Sequence, residues 1–243
     1  MTAKLTLLAG QRAQVDYRTR YRFRPVRKRW SSVAIALLNS EHLKRSFDIT
    51  FSLFVLVACS PLYLLISLLI KLTSAGPIFY VQERVGRDYK TFRCLKFRTM
   101  YVDADRLLEQ LFVKSPKFRA EFQKNFKLKR DPRVTLIGKF LRVTSLDEFP
   151  QFLNVLRGEM SVVGPRPLVQ EELPRYGRAM DSIISVRPGI TGLWQVSGRN
   201  DLPYDRRIQL ELIYSRYRSF ILDLWIMART IGVMLFPHNN GAY

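Results

Sequence analysis

Two adjacent carboxylates, Asp147 and Glu148, lie in the segment RVTSLDEFPQFLNVLRGEMSVVGPRP, Arg142 to Pro167, the densest stretch of candidate chemistry in the chain. Such a pair can divide two tasks. One carboxylate attacks phosphorus as a nucleophile while the other holds a divalent cation that neutralises phosphates. A place in the first turn of a helix, with Arg142 nearby, favours the ionised form a nucleophile needs, and favours an incoming diphosphate as well. The local pattern also has a purely structural meaning. Ser145-Leu146-Asp147-Glu148 matches a capping box, in which Glu148 bonds back to the cap of its own helix.

Three arginine-bearing turns accompany the acidic pair. In Gly164-Pro165-Arg166-Pro167, prolines on both sides of Arg166 fix the backbone and preorganise a bidentate phosphate or base contact, unless the segment is a plain Pro-rich turn. In Arg187-Pro188-Gly189-Ile190-Thr191-Gly192, glycines such as Gly189 would let backbone amides approach an anion, although the loop matches neither the P-loop nor the Rossmann fingerprint. Ser197-Gly198-Arg199-Asn200 adds a third cationic turn. Together they describe a phosphate site, but spacing alone does not bring them to one place.

The elements that would position these groups are partly readable. Pro77 to Met100 reads as two strands, IFYVQERV and KTFRCLKFRTM, joined at the Gly-containing loop Gly86-Arg87-Asp88 as a hairpin. Period two puts Lys96 and Arg98 on one face of the second strand, where they could meet phosphates or simply be solvated. Tyr101 to Phe126 reads as helix interrupted at Ser115-Pro116. Asp131-Pro132 marks a turn, Val134 to Val143 a short helix or strand, and Thr144 onward another helix. Tyr204 to Phe236 reads as one long helical stretch. Its second half suits either an amphipathic interfacial helix anchored by Trp225 or a buried core helix.

The strongest physical signal is Ile49 to Ile70, 22 residues without a charge. Such a run is long enough for a transmembrane helix. Ser60-Pro61 near its middle calls for a kink or break, leaving two halves of roughly 18 Å each, little more than half of a hydrocarbon core. Both flanks are basic: residues 1–48 carry eleven Lys and Arg against three acids, with Lys44 and Arg45 at the mouth of the run and Asp48 beside it. Excess Lys and Arg mark cytoplasmic flanks, so both ends are expected on the same side. A helix that enters, breaks and returns satisfies both observations, and Ser60 could bond the carbonyl freed by Pro61. An ordinary span with a proline kink is the alternative.

Over its 243 residues the chain has a formal net charge of +20, with 40 Lys and Arg against 20 Asp and Glu. That balance implies an anionic partner: nucleic acid, an anionic membrane surface or phosphorylated substrates. No nucleic-acid module is recognisable and the basic residues are widely spread, so nucleic acid is not expected. Two lone cysteines, Cys59 and Cys94, fit a reducing compartment. Residues 1–40 read as a basic tail in which Trp30 could rest on anionic headgroups. The tail lacks the apolar core of a signal peptide, and its Arg-rich start loosely resembles a transit peptide.

Taken in order, Lys44-Arg45…Asp48, the Ser60-Pro61 break, LKFRTM at 95–100, DPRVT at 131–135, TSLDEFPQ at 144–151, LRGEMSVVGPRP at 156–167, RPGITGLWQVSGRN at 187–200 and the terminal GAY resemble the bacterial sugar transferases, the monotopic polyprenyl-phosphate phosphoglycosyl transferases. The resemblance covers roughly residues 40–243. Residues 1–40, the tail, lie outside it; the rest is expected to form an α+β, mostly helical fold with a re-entrant membrane helix 41–73 and a catalytic domain 74–243 with interfacial helices on the cytoplasmic face of a bacterial inner membrane. The resemblance also implies that Asp147 attacks the sugar-proximal phosphate of a UDP-sugar, releasing UMP, and that undecaprenyl phosphate then takes the phosphosugar. Glu148 would bind Mg²⁺, the Pro165-Arg166-Pro167 loop would meet the uridine, and Lys96, Arg142, Arg187 and Arg199 would contact phosphate. Galactose or glucose is the sugar suggested by the overall pattern, with an N-acetylhexosamine next. A homodimer and contacts to anionic lipids are further expectations. A non-enzymatic membrane scaffold is the competing function.

Overall fold

A computed structural model describes residues 39–125, 128 and 131–235. All but the last two residues of the basic tail, Trp30 included, lie outside the described residues, as does the terminal GAY.

The described chain is mostly helical, with two small sheets, as an α+β reading requires. Ser40 opens α1, Glu41–Ala58, by accepting from the Leu43 amide at 3.2 Å, and Glu41 occupies the first turn. The helix stops at Cys59. A second helix, α2, Ser60–Thr73, begins with Pro61 in its first turn, where a missing N–H costs nothing. The Ser60 hydroxyl donates to the carbonyl of Val57 at 2.8 Å, the acceptor that Pro61 leaves without its helical partner. The two helices are bent by 61°, and no single described helix is long and apolar enough to cross a membrane.

The hairpin forms as expected: β1, Phe79–Val85, pairs antiparallel with β2, Thr91–Phe97. Its left-handed residues are Asp88 and Tyr89, while Gly86 keeps a negative φ, so the glycine is not what turns the chain. Two helices follow, α3, Ala104–Lys114, and α4, Pro116–Asn125, divided at Ser115. Val134 to Val143 resolves as helix α5, Leu136–Thr144, capped by Thr135. Gly138 on α5 lies against the backbone of Thr99 with no room for a Cβ, which seats α5 on the exit of β2.

After a 3₁₀ turn, Leu146–Glu148, come α6, Gln151–Arg157, and β3, Ser161–Val163. Short helices α7, Leu173–Tyr176, and α8, Met180–Ile184, precede β4, Gly189–Thr191, which pairs parallel with β3. A short α9, Leu193–Val196, leads to α10, Tyr204–Tyr217, and α11, Phe220–Leu235. The single long helix read from the sequence is therefore two, because Arg218 takes an extended ψ of 137° between them.

The main core lies where α6, β3, α9, α10 and α11 meet, around Phe152, Val162, Trp194, Tyr214 and Ile226. Both α1 and α11 pack on it by one side only. Leu53, Phe54 and Val57 of α1, Leu64, Leu65, Leu68 and Leu72 of α2, and Ile221, Trp225 and Ile231 of α11 remain exposed. The α11 reading thus combines both alternatives: Asp223 and Ile226 are buried, and the opposite side is apolar and open.

Candidate active site

Asp147 and Glu148 sit on the 3₁₀ turn between α5 and α6. Ser145, which opens the turn, is left-handed (φ 59°) and its side chain caps nothing. The expected capping box is not formed. Instead the Ser145 hydroxyl accepts from Arg199 at 3.0 Å, and Glu148 pairs with Lys96 at 2.7 Å. Both partners of the would-be box are taken by cations from distant segments. The turn is braced from below by the Tyr63 hydroxyl of α2, which donates to the Phe149 carbonyl at 2.6 Å.

Around the pair stand four cations. Lys96 comes from the end of β2, Arg142 from the last turn of α5, Arg166 from the loop after β3, and Arg199 from the turn after α9. All four line one cavity of about 950 Å³ with Asp147 and Glu148. Arg142 is oriented by donating its Nε to Thr99 Oγ1 at 3.0 Å, a contact that the close seating of Gly138 makes possible. Burial lowers the pKa of Lys96, but the charges of Glu148 and Asp147 outweigh it and leave the ammonium above its usual range. Burial likewise works against Arg166, yet Glu172 and Glu148 hold it above the usual value. Arg142 and Arg199 are pushed down chiefly by burial, with Asp147 opposing the shift at both. As guanidinium groups they remain charged. The far wall of the cavity is apolar, built by Phe51, Val55 and Cys59 of α1 and its hinge and by Ile231 and Met234 of α11.

Among the described residues no three His, Cys, Asp or Glu side chains gather into a metal cage. Mg²⁺ is ordinarily held by one or two carboxylates, with water and substrate phosphate completing its shell. Two carboxylates facing a cation-lined cavity are compatible with that mode.

Other expected site residues have their polar groups engaged by the fold, although Arg98 and Gly189 also line the cavity. Arg98 lies beyond β2 and donates to the carbonyls of Ser74 and Ala75, so it closes the end of α2. Arg187 donates to the Gly158 carbonyl at 3.1 Å and pairs with Glu41 at 3.6 Å, lining a separate cleft with Arg87 and Arg157. The Gly189 amide bonds the Pro165 carbonyl at 2.7 Å. Gly189 is glycine because it lies against Gly164 with no room for a Cβ, so it brings two strands together and offers no amide to an anion. Lys44 and Arg45 do not present free charge at a membrane mouth. Lys44 pairs with buried Asp223 at 2.7 Å, and Arg45 caps α6 through the carbonyls of Val155 and Leu156. Asp48 accepts from the Val162 amide at 3.1 Å.

Three residues near the site carry roles the sequence did not suggest. Asn154 accepts from the Leu95 amide and donates to the Arg93 carbonyl, so a side chain completes the edge of β2 next to Lys96. Arg84 and Glu211, both buried, bracket the Arg166 loop. The signal available was a polar residue on an otherwise apolar helix face, as with Asn154 between Phe152 and Val155 and Glu211 between Leu210 and Leu212.

A bent pair of apolar helices joined to an acidic pair inside a ring of cations defines a class. The model of the bacterial sugar transferase family matches residues 39–237, and the chain belongs to that family of enzymes. It is 48% identical over 200 residues to the exopolysaccharide production protein ExoY of Sinorhizobium fredii, covering 82% of this chain and 88% of that one. It is 47% identical over 210 residues to the undecaprenyl-phosphate galactose phosphotransferase of Salmonella typhimurium, covering 86% of this chain and 43% of that one. To the undecaprenyl-phosphate glucose phosphotransferase of Komagataeibacter xylinus it is 41% identical, over 81% of this chain and 36% of the relative. The chain thus spans most of the first relative and less than half of the other two.

Proposed function

We propose that this protein transfers hexose-1-phosphate, from UDP-galactose or UDP-glucose, to undecaprenyl phosphate as the first membrane step of exopolysaccharide or O-antigen synthesis. The observation that carries this reading is one cavity in which an acidic pair, the cations around it and an apolar wall from α1, its hinge and α11 meet. A sugar diphosphate needs the first two and a polyprenyl chain needs the third. The names of the galactose and glucose phosphotransferases among the relatives support the same substrates.

The chemistry follows from the division of the pair. Glu148 is engaged by Lys96, while Asp147 stands within electrostatic reach of Arg142 and Arg199. An oxygen of Asp147 attacks the sugar-bearing phosphorus of the donor. The bond from that phosphorus to the bridging oxygen breaks, and UMP leaves with the electron pair. An oxygen of undecaprenyl phosphate then attacks the same phosphorus, the aspartyl–phosphorus bond breaks, and Asp147 is restored. Arg142, Arg166, Arg199 and Lys96 offset the charge that gathers on the phosphates. Glu148 would hold Mg²⁺, which when bound would supply further neutralisation of the diphosphate. The Pro165-Arg166-Pro167 loop holds the nucleotide.

In this reading α1 and α2 dip into the cytoplasmic leaflet of a bacterial inner membrane and return, with the apolar side of α11 at the interface. The catalytic residues then stay on the cytoplasmic side. Periplasmic labelling of a cysteine placed just after Lys71 would rule that topology out. The function itself is tested by UMP release from UDP-galactose, UDP-glucose and UDP-N-acetylhexosamines with undecaprenyl phosphate and Mg²⁺. Release with a hexose donor is expected. No release with any donor would contradict the proposal, and release with N-acetylated donors alone would reassign the sugar.

A further inference from the structure

The loop Pro165–Pro167 has a single backbone N–H, because neither proline carries one. That N–H, on Arg166, donates to Oε1 of Glu211 at 3.1 Å. Glu211 stands on α10 and is 2% exposed, and the Tyr176 hydroxyl donates to its carboxylate. Tyr176 and Glu172 lie beside it. Burying a carboxylate is costly, and here burial pushes the Glu211 pKa up from the usual carboxylate range to about 7. A core position with no demand on it would be filled by an apolar side chain.

The opposite side of the loop is held as well. Arg84 of β1 is buried, donates to the Pro167 carbonyl at 3.1 Å and pairs with Glu172 at 3.9 Å. The next residues are tied in turn: the Val85 amide donates to the Leu168 carbonyl at 2.8 Å, and the Val169 amide to Glu172 at 3.2 Å. The Arg166 amide and the Pro167 carbonyl are therefore gripped by side chains from two different elements.

We propose that Glu211 is a positioning residue of the donor site. It fixes the Arg166 backbone between its two prolines, with Arg84 as the counter-hold, and so sets where the Arg166 guanidinium meets the cavity. This rests on the reading that the Pro165–Pro167 loop holds the donor nucleotide. The hold requires an oxygen acceptor at that point and does not require its charge.

The test compares full-length wild type, Glu211→Gln, Glu211→Asp and Glu211→Ala in detergent, reading UMP release with the hexose donor that wild type uses. Glu211→Asp and Glu211→Ala should raise the donor KM about tenfold, the size of one lost hydrogen bond at a buried site. The acceptor KM and kcat should stay within about twofold of wild type. Glu211→Gln keeps an oxygen in place and should stay within about twofold for all three constants. An unchanged donor KM in Glu211→Asp and Glu211→Ala would overturn the proposal. A donor KM raised as much in Glu211→Gln would overturn it too, as would donor and acceptor constants moving together. If Glu211→Ala does not fold, the contrast of Asp with Gln decides. Silence of the wild-type arm would instead overturn the donor-site reading itself.

Discussion

Two regions of this molecule use the same chemistry, cations set against carboxylates, to opposite ends. At the start of α1, Lys44, Arg45 and Asp48 are consumed internally, holding Asp223, the end of α6 and the Val162 amide. At the turn after α5, Lys96, Arg142, Arg166 and Arg199 surround Asp147 and Glu148 and open onto a cavity. The first set locks the bent helix pair to the rest of the fold. The second leaves charge lining an open cavity. Charge type does not separate them; what each guanidinium or ammonium already touches does.

The sharpest way to break this comparison is to exchange the expected consequences. Glu148→Gln should lower UMP release about 10²–10³-fold, the scale for removing one electrostatic stabiliser, while the melting temperature stays near wild type. Lys44→Met should do the reverse. It strands the buried carboxylate of Asp223 and should cost about 3 kcal/mol of stability, read as a lowered melting temperature in detergent. Protein that does fold should keep its donor KM. A Lys44 variant that melts normally yet loses donor affinity would merge the two regions.

Glu211 sharpens the boundary, since it is buried like the lock and yet serves the site. Its folded pKa of about 7 lies above the ordinary 4.5, so the folded protein keeps a proton that the unfolded chain releases. Stability from this group is therefore lost as pH rises from 4.5 to 7 and is level above that. Relative to Glu211→Gln, wild type should lose on the order of 1–3 kcal/mol between pH 5 and pH 7.5, measured by denaturation at both pH values. Parallel curves would remove the assigned shift. The smallest effect belongs to Arg187→Ala. Its half-exposed pairing with Glu41 lies outside the cavity, so turnover should change by no more than about twofold.

These contrasts also mark what could be read from the sequence. The helix break at Ser60-Pro61 and the strand pair around Gly86-Arg87-Asp88 were legible, because proline chemistry and period-two patterning are local signals, whereas the grouping of Asp147, Glu148, Arg142, Arg166 and Arg199 followed only from the family resemblance. The fate of Arg98, Arg187 and Gly189 was not. Each sits in a segment of the right composition, and its role depends on a carbonyl or backbone far away in the chain. The capping box failed for the same reason: Lys96 and Arg199, both more than fifty residues from the turn, claim Glu148 and Ser145. Arg84 and Glu211 were hidden because a buried charge inside an apolar pattern looks like its solvated neighbour until packing is known.

The central claim is that Asp147 forms a covalent bond to the phosphosugar while its neighbour Glu148 does not. Wild type and Asp147→Asn, incubated with a UDP-hexose radiolabelled in the sugar and without acceptor, should differ completely. Wild-type protein should retain covalent label after denaturation, released on adding undecaprenyl phosphate beforehand, and Asp147→Asn should retain none. Covalent label on Asp147→Asn would contradict the account.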